Sequence, residues 1–137
     1  MEKSTHSPGK RKKSIARATI TDGNGIVTVN CIPIDVFQNT VARDKIKVPL
    51  LLASGFVDLS KINVEANVHG GGVMGSSDAV ASAIARALVD WTGSDELLSV
   101  YHHYERTLIA GDHRLTEPHK PSQSSKGPRH RRQKSYR

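Results

Sequence analysis

The segment best suited to hold a ligand with its main chain is His69-Gly70-Gly71-Gly72-Val73-Met74-Gly75, with Ser76 and Ser77 behind it. It follows a run in which Ile62, Val64, Ala66 and Val68 alternate with Asn63, Glu65 and Asn67. It precedes one with Val80, Ile84, Leu88 and Trp91 at helical spacing. A strand, a glycine loop and a helix N-terminus in that order present backbone N–H groups to a phosphate. Two sets of cations suit the same partner. Lys10, Arg11, Lys12, Lys13 and Arg17 stand near the start, and Arg106, Arg114, Lys120, Lys126, Arg129, Arg131, Arg132, Lys134 and Arg137 near the end. Such side chains bind phosphates through counterion release without reading sequence. The glycines have a second use, a tight connection that needs positive φ and close packing.

Other chemistry is less well served. The loop is not a phosphate-binding Walker motif, because Gly75 is followed by Ser76 rather than Lys and a hydroxyl. Seven histidines include the adjacent His102 and His103, which leave a helix in different directions, and no spacing matches a zinc site. Glu105, Asp112 and Glu117 are acidic, but nothing fixes the pairing that acid/base catalysis requires. Six aromatics, with Phe37, Phe56 and Trp91 expected in the core, make a base-stacking platform an unsuitable reading. The sharpest enzyme alternative comes from Gly72-Val73-Met74-Gly75-Ser76-Ser77. It resembles the Gly-Leu-Gly-Ser-Ser loop of small-metabolite kinases related to galactokinase and homoserine kinase. Those kinases use a second domain, for which 137 residues leave no room. A free-standing nucleic-acid-binding protein is a third class of reading.

The elements that must position these residues fit one domain of 14.9 kDa. Ala16, Ala18 and Ile20 alternate with Arg17 and Thr19, then Asp22-Gly23-Asn24-Gly25 turns and Val27 and Val29 resume, which predicts a hairpin over 14–29. One or two short helices are expected between Val36 and Ala53, with Pro49 setting a boundary. A strand is expected over Leu59–Val68 and a helix over Ser77–Trp91 capped by Ser76. A second helix starts near Ser94, with Leu97, Tyr101, Tyr104 and Leu108 as its buried stripe and Gly111 as its end. The fold class is α+β, a small and largely antiparallel sheet with helices on one face. Residues 1–9 read as an N-terminal arm, 10–110 as the globular α+β domain and 111–137 as a basic extended tail.

Charge follows that division. Residues 1–17 hold six cations and one anion, 18–105 hold five and ten, and 106–137 hold nine and two. The tail is too polar to build a core and is expected to order on a partner. Cys31 is alone, the longest strictly apolar run is Leu50–Ala53, and the start lacks the apolar stretch of a signal peptide. A cytoplasmic protein without cofactor or metal is the expectation.

Three stretches in the expected order resemble the S-nine protein family of the small ribosomal subunit. They are Gly9-Lys10-Arg11-Lys12-Lys13-Ser14-Ile15-Ala16-Arg17-Ala18, the glycine loop with Ile84-Ala85-Arg86-Ala87-Leu88, and Asp112-His113-Arg114-Leu115-Thr116-Glu117-Pro118-His119-Lys120. The ending Gln133-Lys134-Ser135-Tyr136-Arg137 is similar to the archaeal and eukaryotic form of the tail. The resemblance implies the ribosomal S-five second-domain-like fold and a structural, non-enzymatic role in the small-subunit head, beside neighbouring head proteins. Lys10, Arg11, Lys12, Lys13, Arg17, His69, Gly70, Gly71, Gly72, Gly75, Arg106, Arg114, Lys120, Lys126, Arg129, Arg131 and Arg132 would contact ribosomal RNA. Gln133, Lys134, Ser135, Tyr136 and Arg137 would approach the transfer RNA in the peptidyl site. This chain departs from the family at Ser76 and Ala81, where many members carry Gln and Arg, and over Pro121–Pro128, which replaces an aromatic-Gly-Gly segment.

Overall fold

The computed structural model describes residues 3–118. Five strands form one sheet: β1 (Ser4–Arg11), β2 (Ser14–Asp22), β3 (Val27–Val29), β4 (Ile32–Pro33) and β5 (Ile62–His69), in the spatial order β1-β2-β5-β3-β4. All neighbouring pairs are antiparallel except β3 with β5. Four helices complete the body: α1 (Thr40–Ala53), α2 (Val73–Thr92), α3 (Asp95–Tyr104) and α4 (Thr107–Ala110). The α+β class with a mostly antiparallel sheet is therefore the observed architecture.

One face of the sheet is core. Ala16, Ala18 and Ile20 of β2 and Ile62, Val64 and Ala66 of β5 are buried, and α2 lies across them and across β1. Small residues let α2 come close. Gly9 of β1 is buried beneath it, and a Cβ there would stand 2.1 Å from the Ala79 carbonyl oxygen, which no side chain permits. Between Ser77 and Leu88 only Asp78 and Arg86 escape full burial, because α1, α3 and α4 cover the side of α2 that the sheet does not. A helix apolar nearly all round is stable only in such a setting. Tyr101 of α3 reaches under α1, where its hydroxyl donates to the Pro49 carbonyl at 2.7 Å.

Several expectations need correction. β2 and β3 do not form a hairpin, since β5 is inserted between them. The loop after Asp22 wraps the start of β5 instead: Asn63 Oδ1 accepts from the N–H groups of Asn24 and Ile26 at 2.9 and 3.1 Å. The hairpin is β1–β2, and the boundary drawn between residues 9 and 10 falls inside β1. Helix α1 runs through Pro49, which is buried against α3 rather than ending the helix. Helix α2 begins at Val73 with Gly72 as its N-cap, so the last glycine of the loop, Gly75, is helical. The second helix ends at Tyr104 and restarts as α4, which leaves Tyr104 exposed while Leu108 is buried. Phe56 is exposed, whereas Phe37 and Trp91 are partly buried against the core.

Candidate nucleic-acid interface

Arg11 pairs with Ser14 across the β1–β2 hairpin, so Lys12 and Lys13 alone make the connection. Lys12 takes φ +53, and both lysines are exposed at the tip. A two-residue turn holds its side chains outward more firmly than a flexible loop would, which keeps two charges together at one end of the sheet.

The glycine loop packs against this turn. Ser14 Oγ donates to the Gly70 carbonyl at 3.0 Å, and Ser76 Oγ donates to the same oxygen at 3.3 Å. Gly70 and Gly71 have φ of +76 and +71, and added Cβ atoms would lie 2.6 Å from the Lys13 carbonyl oxygen and 2.1 Å from Ser14 Oγ. Both positions are glycine for reasons internal to the fold. Gly72 differs. It has φ −112 and nothing within 4 Å of a Cβ, and it offers no side chain to cap α2. The first N–H groups of α2, those of Val73, Met74 and Gly75, have no preceding helical turn to pair with and open at an exposed end. Positive helix-end potential and the two turn lysines thus point the same way.

The uncovered face of the sheet adds to this end. Across the strands, Lys10 pairs with Ile15 and Ile15 with His69, and the next row holds Pro8, Arg17 and Asn67. Lys10, Ile15, Arg17 and His69 are exposed. Lys10, Lys12, Lys13, Arg17, His69 and the loop glycines are therefore gathered at one pole. Arg106 stands elsewhere, at the start of α4, and shares with Lys10, His113 and Arg114 a cleft of about 590 Å³.

Arg11 is turned inward. Its Nη1 ion-pairs with Asp112 and its Nε lies 3.8 Å from Asp78 of α2, which Lys45 of α1 meets at 2.6 Å. Asp112 also accepts from the backbone N–H of Arg114 at 2.9 Å and from that guanidinium at 2.6 to 3.0 Å. The hydrogen bonds from Arg114, side chain first and backbone second, hold the Asp112 carboxyl well below the usual carboxylate range. Partial burial opposes them and the Arg11 charge assists. Arg86 is similarly engaged, donating to the Ile109 carbonyl at 2.8 Å and to the Pro8 carbonyl at 2.9 Å. Nothing local in the sequence identified the Asp112 cluster. Arg86 did carry a signal, since one arginine in the apolar run Val80–Leu88 must find partners. Ser76 serves the packing of the loop, and Ala81 lines a cleft of about 330 Å³ with Arg11 and Asp78. Lys120, Lys126, Arg129, Arg131, Arg132 and the five positions Gln133 to Arg137 lie outside the described residues.

Comparison with known proteins places this geometry in a family. The family model described as ribosomal protein S9/S16 matches residues 9–137. The small ribosomal subunit protein uS9 of Methanococcus vannielii is 44% identical over 135 residues, covering 98% of this chain and 99% of that protein. A uS9 protein of Methanococcus maripaludis matches with the same identity and coverage. With a family model that covers residues 9–137 and relatives that are 44% identical over 98% of the chain, the chain belongs to the ribosomal protein S9/S16 family.

Proposed function

We propose that this protein is a non-enzymatic constituent of the small ribosomal subunit, bound to ribosomal RNA in the cytoplasm. The observation that carries the reading is the pole where Lys10, Lys12, Lys13, Arg17 and His69 surround the glycine loop and the open end of α2. Exposed cations and unpaired amides at one end suit a folded polyanion whose phosphates approach from a single side. The names of the relatives agree with that partner. Gly72 offers the closest approach for a sugar-phosphate backbone, because nothing stands above it.

The basic residues after Pro118 extend the reading. Lys120, Lys126, Arg129, Arg131 and Arg132 anchor the tail to RNA phosphates, and Gln133 to Arg137 supply positive charge near the transfer RNA in the peptidyl site. Neighbouring proteins of the subunit head complete the set of partners. Removing Lys134–Arg137 tests the last step. Reassembled small subunits carrying the shortened chain should hold peptidyl-site transfer RNA more weakly, with a shallower salt dependence because phosphate contacts are lost. Unchanged affinity and salt slope would refute the transfer RNA contact. The body is tested separately by sedimentation, where a protein found mostly away from small subunits would refute the ribosomal role.

A further inference from the structure

The point where the chain leaves the body is held by more contacts than a connection needs. Ser82 Oγ donates to the Leu108 carbonyl at 2.9 Å, and Arg86 joins the Ile109 carbonyl to the Pro8 carbonyl of β1. Gly111 then turns with φ +77, close against the Arg86 guanidinium. One residue on, Asp112 sits between Arg11 and Arg114 with its side chain only 9% exposed. Through Arg11 the cluster continues to Asp78 and Lys45, so β1, α1, α2 and the chain after α4 meet on alternating charges. Two oxygens facing a guanidinium fork fix orientation as well as distance. Arg114 keeps 69% of its side chain exposed, so its pairing with Asp112 leaves room for a phosphate on the other side.

We infer that Asp112 is a positioning residue. Clamped between Arg11 and Arg114, it fixes the line along which residues 111–118 leave the body and thereby sets where the basic tail meets its RNA partner. This rests on the proposed role of the tail. A segment that orders on binding loses entropy at that moment, and fixing its first residues beforehand reduces the loss. The clamp adds no contact to the partner. It narrows the set of directions from which the tail begins.

The test uses the full chain with Cys31→Ser, and spin labels at Ser99→Cys on α3 and Thr116→Cys beyond the clamp. The distance distribution should be narrow, and Asp112→Asn should broaden it. Arg114→Gln, which alters only the exposed half of the clamp and leaves Arg11 paired, should broaden it partway. Binding to small subunits lacking this protein should weaken roughly tenfold in Asp112→Asn, the size of effect expected when a few residues must be ordered anew. In a chain ending at Pro118, which keeps every core residue among those described, the same substitution should change binding by less than about twofold, because no tail remains to be aimed. An unchanged distance distribution, or equal weakening with and without the tail, would overturn the inference. If removing the tail alone leaves binding unchanged, the reading of the tail fails. The distances then decide independently whether Asp112 fixes the exit.

Discussion

Alanine at Gly71 and at Gly72 separates glycines that serve the fold from those that serve a ligand. Gly71 has φ +71, and a Cβ there would stand 2.1 Å from Ser14 Oγ, itself buried and bonded to the Gly70 carbonyl. An alanine in that backbone region costs about 1–2 kcal/mol. Displacing Ser14 also loses a hydrogen bond worth about 1 kcal/mol net. Gly71→Ala should therefore destabilise the protein by about 2–3 kcal/mol. Gly72 has φ −112 and open space around a Cβ, so Gly72→Ala meets no clash and should cost about 1 kcal/mol or less, the preference for glycine over alanine at an N-cap. Urea denaturation followed by the fluorescence of Trp91, the single tryptophan, measures both. RNA affinity should show the opposite order once stability is allowed for: Gly72→Ala folds normally yet binds more weakly, because a methyl group occupies the approach to the α2 amides. Equal urea midpoints for the two variants would refute the packing argument. Undiminished RNA binding by Gly72→Ala would remove the glycine loop from the interface.

Three further outcomes follow from single sites. Tyr101→Phe removes the hydroxyl's bond to the Pro49 carbonyl, which stays within the helical ladder of α1, and should cost about 0.5–1.5 kcal/mol, read as a lower urea midpoint at unchanged slope. Burial pushes the Tyr101 hydroxyl well above its ordinary range, which favours the protonated form that donates to Pro49. Asn30 and Cys31 both have positive φ, +50 and +65, in the two-residue turn joining β3 to β4. Cys31→Gly should raise stability by about 1 kcal/mol by thermal unfolding, since the left-handed region disfavours every side chain there. The depressed pKa of Asp112 gives a contribution fully present above the unfolded value of about 3.9 and lost only as pH falls through the lower folded value. Protection of the Arg114 amide against exchange should therefore persist at pH values where ordinary carboxylates protonate, and Asp112→Ala, which removes the acceptor, should abolish it throughout.

The sequence was most readable where one periodicity had one cause. β5 alternates because one face is core, and α3 starts where Ser94 accepts from the Leu97 N–H. β1 was hidden because its inward residues are Ser7 and Gly9, small rather than apolar. Ser7 is satisfied by Asp90 at 2.6 Å, a partner 83 residues away. The same Gly and Asn residues that suit a hairpin also suit a loop wrapped around another strand, so local chemistry could not reveal that β5 lies between β2 and β3. Pro49 misled for a related reason. A proline removes one helical hydrogen bond, but burial of Ile46, Leu50 and Ala53 against the rest of the core stabilises the helix on both sides of it. The cations and the glycine loop were legible as separate features, whereas their meeting at one end of the sheet and the Asp112 cluster, assembled from four distant segments, were not.

That cluster changes the meaning of the charge count. A surplus of cations says that a polyanion is a suitable partner, but not which cations face it. Among the described residues, Arg11, Arg43, Lys45, Lys47, Lys61 and Arg114 enter ion pairs within the chain, and Lys3 donates to the Trp91 carbonyl. Lys10, Lys12, Lys13, Arg17 and Arg106 enter none of those ion pairs, and all five are exposed. Arg11 and Lys12 are neighbours in a run that looks uniform, yet the strand alternation sends one guanidinium toward Asp78 and Asp112 while the turn sends the next ammonium into solvent. An ion pair already made within the fold releases few further counterions on binding, so salt dependence separates the two kinds of cation. Neutralising Lys12 should reduce the salt slope of RNA binding by about one unit. Replacing Arg11 with methionine should instead loosen the anchoring of Asp112 and leave the slope contributed by the body unchanged, and a slope reduced equally by both would show that Arg11 also meets phosphate.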